Sequence, residues 1–158
     1  MQAENSSKIL NALIAERDAL RGFVSLLEQE QNALVENDTD KLLQLAEQKS
    51  ASANALTELV ETRHHLLQQT LPKLNAAAIQ TWMQTSNKAA WPVWQDLRIF
   101  AERARQLNQS SGELIQLKLR HNQQALTVLD NASQKSNVYG PDGQPNFAPG
   151  SGRPLASA

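Results

Sequence analysis

Between Leu34 and Leu67 the chain reads LVENDTDKLLQLAEQKSASANALTELVETRHHLL. The polar run Glu36-Asn37-Asp38-Thr39-Asp40 separates two long segments whose leucines return at steps of three and four, and this break limits the fold more than any other feature. Upstream, Leu10, Leu13, Arg17, Leu20, Val24, Leu27, Gln31 and Leu34 form a heptad seam. Ile9, Ile14, Phe23 and Val35 widen it into a core-facing stripe, which predicts a first helix from about Ser6 to Asn37. Downstream, Leu42, Leu45/Ala46, Lys49, Ala53, Leu56, Leu59/Val60, Arg63 and Leu66/Leu67 predict a second helix from about Thr39 to Leu71, stopped by Pro72. Asp38 or Thr39 supplies its N-cap oxygen. At 1.5 Å per residue each helix is roughly 50 Å long, and so short a link makes the two antiparallel neighbours.

Three cations interrupt the seams: Arg17 on the first helix, and Lys49 and Arg63, two heptads apart, on the second. Either their stems lie along the seam while the charges reach solvent or carboxylates, or they act as a polar register device.

Residues 73 to 91 predict a short amphipathic helix around Ala76-Ala77-Ala78-Ile79, Trp82 and Met83, then a Ser86-Asn87-Lys88 loop. All three tryptophans, Trp82, Trp91 and Trp94, fall in or just after this connection. They form either an exposed binding patch or a plug for the end of the bundle. A last long helix starts near Pro92, a residue suited to a first helical position, and runs to about Leu129. Its seam is Val93, Leu97, Phe100, Ala104, Leu107, Ser111, Leu114 and Ile115. Gly112 costs roughly 1 kcal/mol of propensity within it, a place where another backbone is expected to come close. Beyond Gly112 the apolar arc broadens, with Leu114 and Leu117 on one flank and Ile115, Leu119 and Leu126 on the other. This end has more apolar surface than one neighbour covers. Leu114, Leu117, Leu119, Leu126 and Leu129 are therefore the candidate partner-binding residues. The segment from Asn131 onward holds four of the six prolines and four of the six glycines, a composition expected to be flexible or extended. It contains the chain's only tyrosine, Tyr139, in the island Val138-Tyr139-Gly140-Pro141-Asp142-Gly143, a candidate docking residue.

The rest is exclusion. A length of 158 residues fits one domain, and with no cysteine there is neither a disulfide framework nor thiol chemistry. The N-terminus shows no apolar run of a signal peptide and no stretch suits a bilayer span, so the expectation is a soluble cytoplasmic protein without stable membrane insertion. Interspersed charges summing to −1 give no footprint for nucleic acid. Glu61-Thr62-Arg63-His64 has the Glu-x-x-His spacing of carboxylate-bridged di-iron bundles, but no second copy exists to complete a metal site. His64, His65 and His121 lack the surroundings of a phosphotransfer motif. No paired-carboxylate pocket, Ser-His-Asp set or glycine-rich phosphate loop is present. The expectation is a protein with no enzyme activity, no metal and no cofactor.

The hairpin resembles the FlgN family of flagellar export chaperones. Leu34-Val35-Glu36-Asn37-Asp38 with Leu42 and Leu45, Glu47-Gln48-Lys49, and the Leu56, Leu59, Arg63 spacing carry the resemblance. It extends to Leu107-Asn108 and Gly112-Glu113-Leu114-Ile115 on the last helix, and to the island Tyr139 to Gly143. Asn37 stands where the family often has glycine, and the stretch past Gly143 is longer and proline-rich. The resemblance implies an all-α fold, an antiparallel bundle of three long helices plus a short connecting helix over residues 1–131, with a flexible C-terminal tail over 132–158. It implies a cytoplasmic chaperone whose clients are the hook-associated proteins of the hook–filament junction. In the family the tail tyrosine, here Tyr139, contacts the cytoplasmic domain of the export gate. The alternative is a structural coiled-coil adaptor or a homo-oligomer using the same apolar surface.

Overall fold

The structure, a computed structural model, describes residues 1–138. Four helices follow in order: α1 (Gln2–Glu36), α2 (Thr39–Thr70), α3 (Ala76–Ser86) and α4 (Ala90–Val138). No strand occurs among the described residues. The chain divides into two compact units, Met1–Glu113 and a second that begins at Leu114.

Helix α1 begins earlier than its seam predicts. Glu4 in the first turn suits the positive end of the helix dipole and pairs with Lys8 one turn on at 2.8 Å. The hydrogen bond from Lys8 holds the Glu4 carboxyl below its ordinary value. At the other end Asn37 adopts φ 57°, ψ 35°, the left-handed conformation. Its N–H donates to the Leu34 carbonyl (3.3 Å) and the Asp38 N–H to the Ala33 carbonyl (2.9 Å), the paired bonds of a Schellman ending. Asparagine tolerates this conformation where most side chains clash. The Asp38 carboxylate then accepts from the Lys41 N–H at 3.1 Å and caps α2. One helix ends and the next begins within two residues, and the chain reverses.

Two ion pairs record the register of the reversal. Arg63 Nε donates to Glu16 at 2.7 Å, and Lys49 Nζ reaches Glu30 at 3.2 Å. The glutamates are two heptads apart on α1 and the cations two heptads apart on α2, so both pairs fit one antiparallel alignment. Of the two open readings of the seam cations, both contribute: the stems lie along the interface, and the charges meet carboxylates across it.

Helix α2 ends at Thr70, with Leu71 as its extended cap just before Pro72. Asn75 caps α3 by accepting from the Ala78 N–H at 2.8 Å. Asn87, buried, ends α3 and donates its side-chain amide to the Ser6 carbonyl at 3.0 Å, which ties the α3–α4 connection to the start of α1. Around this tie Ile9, Leu13, Leu67, Met83, Val93 and Leu97 bring all four helices into one core. The three tryptophans are partly buried and pack against that core, as the plug reading expects. A second cluster joins Val24 and Leu27 of α1 to Ala104 and Leu107 of α4. Ion pairs Arg17–Asp96 (3.9 Å) and Glu28–Arg103 (3.4 Å) align these stretches in the same direction.

Some expectations are corrected. Val35 is exposed, because Ala33 and Leu34 occupy the inward positions at the hairpin end. Glu16, which shares the heptad position of Ile9 and Phe23 but was not read as part of the stripe, is buried. Helix α4 starts at Ala90, so Pro92 sits inside the first turn, where its missing N–H has no intrahelical partner to lose. The helix also continues to Val138 rather than ending near Leu129: no proline or glycine interrupts it before Gly140, and Lys135 complements the dipole of the last turn. Gly112 admits no close backbone. A Cβ built there meets nothing within 4 Å.

Two outcomes are expected in urea unfolding. Arg63→Ala should cost about 3 kcal/mol, because it strands a buried carboxylate, while Lys49→Ala at the more exposed pair should cost about 1 kcal/mol or less. The Glu16→Leu/Arg63→Met double exchange should return most of the first loss. Gly112→Ala should raise the unfolding free energy by up to about 1 kcal/mol, since it gains helix propensity without a clash.

Candidate functional site

Helix α4 is continuous over 49 residues, yet its two halves live in different environments. In the first unit its seam is packed: Val93, Leu97, Ala104 and Leu107 are buried. The packed seam closes at Ser111, which is buried and whose hydroxyl has no hydrogen-bond partner among the described residues. The second unit starts three residues later.

Beyond Ser111 the apolar side chains stay in contact with water. Leu114 is half-buried, but Leu117 is 41% exposed, Leu119 56%, and Leu126 and Leu129 each 65%. From Leu119 to Lys135 every side chain is exposed. The five leucines singled out in the sequence thus lie on one helix, four of them exposed. Ile115 (43%) and Val128 (66%) are exposed as well. The sequence reading placed Ile115 in the broadened arc and overlooked Val128. Its signal was available: Val128 stands eleven residues, three helical turns, after Leu117 and falls on the same flank.

The electrostatics of this half differ from the first unit. Residues 114–135 carry Lys118, Arg120 and Lys135 against Asp130, a balance of +2. Residues 1–113 hold eleven Lys/Arg and fourteen Asp/Glu, a balance of −3. Within the first half of α4, Arg105 donates to Glu102 at 2.7 Å and holds that carboxyl below its ordinary value, an exposed pair along one helix face.

Other candidate chemistry does not assemble. His64 faces Gln68 at 2.9 Å and His65 faces Gln69 at 3.0 Å, each one turn along α2. Among the described residues there is no group of three or more His, Asp and Glu side chains placed to hold a metal ion. No helix there is long and apolar enough to cross a membrane. Tyr139 lies outside the described residues.

What the second half of α4 presents is a formed helix with exposed leucines. The sequence model of one family, described as FlgN protein, matches residues 1–146, a stretch that includes the island Tyr139 to Gly143. Comparisons with curated proteins and with solved structures return no match. Most of its length being matched, the chain belongs to the FlgN family, and with that membership goes the general role of a flagellar export chaperone.

Proposed function

We propose that this chain binds the amphipathic terminal segments of hook-associated proteins in the cytoplasm, keeps them from associating prematurely, and delivers them to the export gate. The supporting observation is the run of exposed leucines on the second half of α4. Contiguous exposed apolar surface on a folded protein marks a contact for another molecule, and an amphipathic helix is the natural complement of an apolar helix face. The energetic scale suits a carrier. Burying the exposed part of the four leucines, about half of each side chain, supplies roughly 3–7 kcal/mol, against an association cost of about 4–15 kcal/mol. Capture of this kind is reversible, as delivery requires.

Leu119→Ser/Leu126→Ser should weaken capture of a hook-associated protein at least tenfold, measured by isothermal titration. Helicity and unfolding midpoint should stay within about 1 kcal/mol of the parent, because both side chains are exposed. A cooperative collapse at much lower temperature would instead make these leucines core residues.

Gate delivery is assigned to Tyr139. A tyrosine brings a large ring with few rotors to immobilise and a hydroxyl for one hydrogen bond. Gly140-Pro141-Asp142-Gly143 is a turn-forming sequence suited to presenting it. Tyr139→Ala should leave folding and client affinity unchanged and reduce binding of a preformed chaperone–client complex to the gate's cytoplasmic domain. Equal binding of mutant and parent complexes removes Tyr139 from the site.

A further inference from the structure

The exposed apolar side chains on the second half of α4 do not share one stripe. At about 100° of rotation per residue, Ile115, Leu119, Leu126 and Leu129 fall within an arc of about 80°. Leu117 and Val128 lie within about 20° of each other on roughly the opposite side of the helix. Both are well exposed, at 41% and 66%. A single packed neighbour covers an apolar stripe on the order of 100° wide, so one partner helix that covers the first face leaves the second in water. Each face runs three to four turns, about 16–21 Å along the axis.

The charges discriminate between occupants. The same stretch of a second copy would bring a like balance of +2, and residues 139–158 carry one acid, Asp142, and one base, Arg153. A partner with acidic residues flanking its apolar stripe complements Arg120 and Lys135, and neither of those two does.

We propose that the exported client embraces this half of α4 with two amphipathic helices bearing acidic flanks. One lies on Ile115, Leu119, Leu126 and Leu129, the other on Leu117 and Val128. The proposal rests on the client reading above and adds to it the number, placement and charge of the client's helices.

The absence of cysteine allows a single fluorophore to be placed cleanly, at Leu117→Cys or at Leu119→Cys. Each labelled full-length protein is titrated with a monomeric hook-associated protein. The expected result is a blue shift at both positions, saturating together at one client per chaperone. In parallel, unlabelled Leu117→Ser/Val128→Ser should weaken binding about tenfold or more, a loss of about 1.4 kcal/mol, with helicity retained. Affinity should also fall as ionic strength rises. A shift at 119 alone, with Leu117→Ser/Val128→Ser binding like the parent, overturns the embrace and leaves the client reading standing. No shift at either position, with Leu119→Ser/Leu126→Ser also unaffected, removes the client reading as well. A shift at 117 that follows chaperone concentration without client assigns that face to a second copy and overturns the proposal. So does a client-free signal at 117 that changes when the chain is ended at Val138, which assigns the face to residues 139–158. Affinity independent of salt overturns the acidic character of the client helices.

Discussion

The contact on which the first unit depends is made by one guanidinium. Arg63 of α2 bonds Glu16 of α1 at 2.7 Å and lies 5.1 Å over the ring of Trp94 of α4. Three helices from distant parts of the chain meet at a single side chain, and Glu16 is buried there. Such a pair is weak evidence for stability as such, because desolvating both charges offsets much of their attraction. Its value is geometric. With Lys49 and Glu30 it makes two rungs that fit one alignment, and sliding α2 by one turn, about 5.4 Å, breaks both at once. A leucine seam without these rungs would accept several registers with similar burial.

What the sequence disclosed follows the same division between periodic and singular features. The seams of α1, α2 and the first half of α4 were legible because leucines at steps of three and four leave few alternatives. The polar break was legible because Asn37-Asp38 supplies both a left-handed ending and a cap. The interruptions at Lys49 and Arg63 were visible as breaks in the seam, with solvent, carboxylates and a register role all left open. Their partners went unread although Glu16 and Glu30 share the heptad position of Ile9 and Phe23, because glutamate on a helix is ordinarily solvated. Val35 shows the converse failure: an apolar residue adjoining a seam reads as core, yet the hairpin ends there and leaves it in water. The leucines of the second half of α4 were visible as an arc too broad for one neighbour. Their exposure is a tertiary fact that no periodicity states.

The length of α4 connects the packed unit to the proposed work. Nucleating a helix is the costly step, and extending one adds a hydrogen bond for each residue fixed. The first half of α4 is held by Leu97, Ala104, Leu107 and the ion pairs to α1, so the second half propagates from an existing helix. Its residues from Leu114 to Ala125 are mostly Leu, Gln, Lys, Arg and Ala, which sustain a helix without a packed face. A client meeting this surface does not have to order it, and the conformational entropy of the chaperone's side has already been lost on folding. In the proposed function the surface is therefore available to a client at once. The packed hairpin, fixed in register by the Glu16–Arg63 and Glu30–Lys49 ion pairs, thus holds the folded start from which the second half of α4 extends.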